Sequence, residues 1–181
     1  LGDLIKAVCG DGSRWGVHIE YSDEQEPLGT IGPLRLIREQ LTETFIVVNG
    51  DTITDIDLQD LMNFHYEHKG IATIAATNRS YQIELGVLKI NQDGALQQFI
   101  EKPRQEYLAS MGLYVFEPEI LGFIPQGGSF GLDDLVHAFL ATEAPVYVYT
   151  HPGYWLDIGI KTDLERAQEE FETIRHRVTG D

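Results

Sequence analysis

The residues best suited to chemistry are acidic ones that follow apolar runs. Val47-Val48 leads straight into Asn49-Gly50-Asp51. In an open α/β sheet the ligand crevice lies beyond the carboxyl ends of the strands. Asp51 is therefore aimed where a ligand would sit, and Gly50 removes a side chain that would hold a ligand away from the backbone. The same three residues also make an ordinary turn. Far along the chain, Gly153-Tyr154-Trp155-Leu156-Asp157-Ile158-Gly159 sets a second carboxylate among aromatics and glycines, where it could equally cap a turn. Asp51 and Asp157 together suit a hard cation such as Mg²⁺, which takes one or two carboxylates and completes its octahedron with substrate phosphates and water. Glu101-Lys102-Pro103 places a carboxylate beside an ammonium, one suited to sugar hydroxyls and the other to a phosphate. A plain surface ion pair would look the same.

Other constellations are thinner. Asp55-Ile56-Asp57 spells the Asp-x-Asp of metal-dependent glycosyltransferases, but Asp57 stands where a helix needs a cap. The six histidines show no zinc spacing, and His65 and His68 belong to one helix face. Cys9 is the only cysteine and has no basic cluster to activate it. A single thiol builds neither a disulfide nor a Cys-rich metal site, which suits a reducing, cytoplasmic setting. Thirteen Lys+Arg against twenty-nine Asp+Glu give a net charge of −16, which argues against nucleic acid or anionic lipid as a partner. No apolar stretch is long enough to span a membrane. With 43% apolar residues, the 181-residue chain can bury the core of about one domain.

The elements that must position these groups follow from periodicity. Leu1–Val8 has the spacing of an amphipathic helix, and Val17–Tyr21 alternates like a half-buried strand. Ile31, Leu34, Ile37 and Leu41 mark a helix with Pro33 in its first turn. Phe45–Val48 reads as a strand buried on both faces. Next come a helix from Leu58 capped by Asp57 and ended by Gly70, then a strand from Ile71 to Ala76. Gly86–Ile90 and Leu96–Ile100 flank Asn91-Gln92-Asp93-Gly94, a hairpin signal. Met111–Phe116, Pro145–Tyr149 and Tyr154–Asp157 read as strands; Pro118–Phe123, Phe130–Leu140 and a last helix capped by Thr162 read as helices. Strand, helix, strand with short joins makes the sheet at least partly parallel. With no linker or repeat, residues 1–181 form a single α/β domain.

The ordered series Pro27-Leu28-Gly29-Thr30, Val48-Asn49-Gly50-Asp51, Leu85-Gly86-Val87, Glu101-Lys102-Pro103, Gly112-Leu113-Tyr114-Val115-Phe116 and Tyr154-Trp155-Leu156-Asp157-Ile158-Gly159 resembles the sugar-1-phosphate nucleotidylyltransferases. The Pro-Leu-Gly-Thr form is more similar to their mannose-1-phosphate guanylyltransferase-like members. The resemblance implies a Rossmann-like mixed, mostly parallel α/β sheet flanked by helices. It also implies Mg²⁺-dependent joining of a nucleoside triphosphate to a sugar 1-phosphate with release of pyrophosphate, in a pathway feeding glycan or lipopolysaccharide synthesis. On that basis Asp51 and Asp157 hold the metal. Glu101 and Lys102 hold the sugar phosphate, with Lys102 on its phosphate. Gly86 lets the sugar approach, Trp155 shapes its pocket, and Pro27, Leu28 and Gly29 line the base pocket.

The family's opening strand and its loop of form Gly-x-Gly-Thr-Arg-x-x-Pro-Leu-Thr have no counterpart in these residues. The resemblance therefore implies a domain entered after its first strand and inactive alone. Ser110-Met111 and Leu85 also depart from the common family residues. A non-catalytic subunit or regulator that binds nucleotide sugars is the alternative, and an Asp-x-Asp glycosyltransferase a third reading. Assembly as a homo-oligomer is compatible with all of them.

Overall fold

The computed structural model describes residues 2–179. Contacts within the chain group into two compact units, Leu1–Phe45 with Glu117–Pro145, and Ile46–Phe116 with Val146–Asp181.

In the first unit, α1 (Gly2–Cys9) ends where Gly10, at φ +57°, donates its N–H to the Lys6 carbonyl at 2.8 Å. Leu1 of the expected helix lies outside the described residues. Val17–Tyr21 forms no ladder among the described residues and is largely exposed. Alternation alone does not make a strand without a partner to take its hydrogen bonds. The helix expected from Ile31 is a 3₁₀ segment, Gly32–Ile37, and Pro118–Phe123 is another. α3 (Leu132–Ala141) buries Leu135 and Phe139.

The second unit holds a four-stranded sheet in the order β1-β6-β3-β7, comprising β1 (Phe45–Val48), β3 (Ala72–Gln82), β6 (Arg104–Phe116) and β7 (Val146–Thr150). A ribbon of β2 (Thr52–Thr54) with β8 (Trp155–Asp157), and a hairpin of β4 (Val87–Ile90) with β5 (Leu96–Ile100), complete the strands. The central sheet is mixed, as expected: β3–β7 is parallel and β3–β6 antiparallel, while the separate β2–β8 and β4–β5 pairs are both antiparallel. A parallel neighbour needs a crossover. The chain between β3 and β6 is instead an excursion through a hairpin, so β6 returns antiparallel and inserts between β1 and β3. That also puts β1 on the edge of the described sheet. Val48 is 50% exposed, so β1 is not the doubly buried strand its apolar run suggested.

Local signals set the other elements. Asp57 caps α2 (Leu58–His68) by accepting from the N–H groups of Gln59 at 2.7 Å and Asp60 at 3.2 Å. In the β4–β5 turn, Asn91 Oδ1 accepts from Asp93 and Ala95, and Gly94 adopts φ +82°. The last helix, α4 (Lys161–Thr179), begins before Thr162, so that residue is not its cap.

One irregularity matters to the site. Between the pairs Ile74–Tyr114 and Ala76–Ser110, β3 advances two residues and β6 four. The bulge contains Gly112 at φ +72°. Its carbonyl accepts from Asn49 N–H at 2.8 Å, and a Cβ there would lie 2.7 Å from Asn49 Nδ2. The Met111 carbonyl beside it turns to accept from Trp155 Nε1 at 2.9 Å and Thr52 Oγ1 at 3.3 Å. Both strands of the β2–β8 ribbon thus hang from one bulged carbonyl.

The ribbon has two faces. Trp155 packs with Leu61, Ala75, Met111, Leu113 and Val115 on the sheet side. Leu156 turns the other way, into a cluster with Tyr154 and with Ala167 and Ile174 of α4. Gly112→Ala combines backbone strain with the Asn49 clash, so a loss of about 1–3 kcal/mol in denaturant unfolding is expected. Unchanged stability would show that the bulge relaxes freely.

Candidate active site

β2 pairs with β8 so that Thr52 faces Asp157 and Thr54 faces Trp155. Asp51 immediately precedes β2, and its carbonyl accepts from Ile158 N–H at 2.9 Å. This pairing brings the two acidic residues together across more than a hundred positions of sequence. Their carboxylates converge on Gly159. A Cβ at Gly159 would lie 2.8 Å from Asp51 Oδ2 and 3.0 Å from Asp157 Oδ1, so the glycine keeps open a small space that both oxygens face. Gly159 N–H also donates to Asp157 Oδ1 at 3.0 Å, fixing that carboxylate. Gly50, the residue before Asp51, has nothing within 4 Å of its Cβ position. Among the described residues no group of three or more His, Cys, Asp or Glu could hold a metal. A pair of carboxylates with an open cradle is the donor set for a hard divalent cation that takes its remaining oxygens from substrate and water.

A second cluster forms where β5 ends. Val87 pairs with Ile100, setting Gly86 opposite Glu101. A Cβ on Gly86 would stand 2.6 Å from the edge of the Phe99 ring and 3.3 Å from Glu101 Oε2. A side chain there would have to push the exposed Phe99 ring aside. Lys102 adopts φ +43°, a left-handed backbone that costs a non-glycine residue about 1–3 kcal/mol. Its Nζ sits 3.2 Å from Glu84 Oε2, with both side chains half or more exposed. Such a pair is weak and releases its lysine readily to a stronger anion.

Trp155 is half-buried and gripped at two points. Nε1 donates to Met111 O, and the Arg79 guanidinium lies over the ring, 5.3 Å from its centroid. Arg79 Nη2 also reaches Asp163 Oδ2 at 3.0 Å. Burial works against the charge on Arg79, but hydrogen bonding to Tyr81 and the Asp163 carboxylate outweigh it and hold the guanidinium above its ordinary pKa. The Ser110 hydroxyl, at a position that departs from the common family residue, lies 3.2 Å from Tyr114 OH. Burial raises the Tyr114 phenol, and this hydrogen bond only partly offsets it.

Pro27, Leu28 and Gly29 belong to the other unit. There Leu28 is buried, Pro27 is exposed, and Gly29 at φ +83° lies against the Phe130 carbonyl. Thr30 accepts from Leu132 N–H at 3.0 Å and so serves the start of α3.

Asp55 and Asp57 have structural tasks. Asp57 is the α2 cap, and Asp55 accepts from Tyr154 N–H at 2.6 Å and meets His151 Nε2 at 2.8 Å. His65 is buried on Thr73 Oγ1 at 2.8 Å, and His68 stacks on Phe64. Gly159 and Arg79 were not singled out by sequence reasoning. The only signal for the first was a glycine two residues beyond a carboxylate; for the second there was none.

The family model described as nucleotidyl transferase matches residues 3–174. The chain belongs to the nucleotidyl transferase family. It is 37% identical over 172 residues to mannose-1-phosphate guanyltransferase beta-A of Xenopus laevis, covering 91% of this chain and 47% of that protein. It is 36% identical to the mannose-1-phosphate guanylyltransferase catalytic subunit beta of Dictyostelium discoideum, covering 83% of this chain and 43% of that one. The chain thus spans about half the length of the curated relatives it matches. The crystal structure of HddC from Yersinia pseudotuberculosis complexed with GMP-PN superposes with a TM-score of 0.66 at 25% identity, covering 93% of this chain and 74% of that one. No described helix of this family member is long and apolar enough to cross a membrane.

The Asp-x-Asp reading has a direct test. Asp57→Ala should cost about 1 kcal/mol of stability and leave divalent-cation binding intact. Cation binding lost with Asp57, measured by calorimetry, would contradict that assignment.

Proposed function

We propose that the chain is the catalytic domain of a Mg²⁺-dependent, cytoplasmic sugar-1-phosphate nucleotidylyltransferase that uses a guanine nucleotide and a hexose 1-phosphate such as mannose 1-phosphate. The observation that carries this reading is the convergence of Asp51 and Asp157 on the open space at Gly159. The names of the relatives support the substrate class. A pure nucleotide-sugar sensor has no need of that carboxylate pair, so the geometry favours an enzyme over a regulatory homologue.

In this reading an oxygen of the sugar phosphate attacks the α-phosphorus of the triphosphate in line. The new oxygen–phosphorus bond forms as the bond from the α-phosphorus to the bridging oxygen breaks, and pyrophosphate leaves with that electron pair. Such a reaction needs alignment and charge neutralisation more than covalent catalysis. Asp51 and Asp157 would hold the Mg²⁺, which when bound supplies positive charge to the phosphate oxygens. Lys102 exchanges Glu84 for the sugar phosphate, and Glu101 accepts from sugar hydroxyls beside Gly86. Trp155 walls the sugar side. Pro27, Leu28 and Gly29 line the base pocket.

Asp51→Asn and Asp157→Asn in the full-length protein should each lower turnover by roughly 10²-fold or more while leaving thermal unfolding nearly unchanged. Lys102→Ala should act chiefly through a raised KM for the sugar 1-phosphate. A pyrophosphate-release assay reads both, and near-normal turnover in either aspartate variant would sink the metal assignment.

A further inference from the structure

Arg79 makes a defined three-body contact beside the site residues. It stands on β3, opposite Tyr107 of β6, and its guanidinium lies across the Trp155 ring while pairing with Asp163 in the first turn of α4. Asp163 is only 7% exposed, and that guanidinium is the cation it pairs with, at 3.0 Å. A branched guanidinium can lie over an aromatic face and hold a carboxylate at the same time; the single ammonium of a lysine is a point charge that cannot occupy both positions. Trp155 shares a face of β8 with Asp157, two residues on. The indole is tied by Nε1 to Met111 O on one edge and has the Arg79 guanidinium over one face.

We propose that Arg79 is a positioning residue for the sugar 1-phosphate: it fixes the plane of Trp155 and thereby the wall against which the sugar rests. This rests on the reading of Trp155 as part of the sugar pocket. Arg79 touches no reacting atom. It acts through the indole, and Asp163 holds it in place from α4. The consequence is selective, because a loosened Trp155 changes how the sugar sits and leaves the nucleotide side alone.

Arg79→Ala would strand the Asp163 carboxylate and endanger the fold, so the informative variant is Arg79→Lys, which retains the cation but cannot both pair with Asp163 and lie over the indole. In the full-length protein, titration calorimetry is run with mannose 1-phosphate and separately with GTP and Mg²⁺. Wild type, Arg79→Lys, Trp155→Leu and the double variant are compared. Arg79→Lys should weaken mannose 1-phosphate by roughly fivefold or more, leave GTP within about twofold and keep the melting temperature close to wild type. In the Trp155→Leu background the same lysine substitution should have little further effect, because the ring through which Arg79 acts is gone.

A purely structural role would weaken both ligands together, or give the same loss with and without Trp155. Either result overturns the proposal, as does Arg79→Lys binding mannose 1-phosphate like wild type. Wild-type protein that binds no mannose 1-phosphate and releases no pyrophosphate overturns the functional reading and this inference with it. Wild-type protein that does both, with Arg79→Lys indistinguishable from it, overturns this inference alone.

Discussion

The carbonyl of Met111 holds the candidate site to the sheet. It is available because β6 carries extra residues at Gly112, which take Met111 out of register with β3. From there it binds Thr52 on one strand of the ribbon and Trp155 on the other. Those two residues flank the carboxylates: Asp51 precedes Thr52, and Asp157 follows Trp155 by two. Gly112 is the residue that makes this geometry tolerable. Its positive φ carries the chain through the bulge, and the missing Cβ lets Asn49 pack on it as the chain leaves β1. Strand end, bulge and ribbon therefore form one mechanical unit, and the family motifs at residues 48–51, 112–116 and 154–159 are its three parts.

Around that unit the two faces of the ribbon divide the work. Leu156, fully buried, faces α4 with Ile53 packed beside it. Trp155 faces the sheet and its core of Leu61, Met111 and Val115. Other polar groups near the site are satisfied in ways that fix backbone, as when Asp55 bridges His151 and the Tyr154 amide. At Gly159 two carboxylates draw together, Asp157 Oδ1 held by the Gly159 N–H and Asp51 Oδ2 near the same Cβ position. Lys102 is strained and only loosely paired with Glu84.

Much of this was legible where the signal is local. Asp57 ahead of Leu58 reads as a cap because the chemistry of capping spans three residues. Asn91 to Gly94 reads as a hairpin turn because glycine and asparagine suit its backbone. Strand direction was not legible: Phe45–Val48 and Ile71–Ala76 carry apolar runs that suit a parallel sheet, and nothing in them tells that β6 will insert between. Val17–Tyr21 alternates correctly yet finds no partner strand among the described residues, since ladder formation is decided elsewhere in the chain. The candidate residues Asp51, Glu101, Lys102 and Asp157 stood out by type and order. Gly159 and Arg79 did not, because their tasks exist only after β2 meets β8 and α4 meets β3.

If Asp51 and Asp157 share one cation space that Gly159 keeps open, filling that space must cost cation affinity. Gly159→Ala does so without removing either carboxylate, since the added methyl would sit 2.8 Å from Asp51 Oδ2 and 3.0 Å from Asp157 Oδ1. The measurement is Mn²⁺ binding in the presence of GTP, followed by electron paramagnetic resonance on the full-length protein. A loss of roughly tenfold or more in Mn²⁺ affinity, with the melting temperature little changed, is the expected result. Wild-type affinity in the Gly159→Ala protein would contradict a shared cation space.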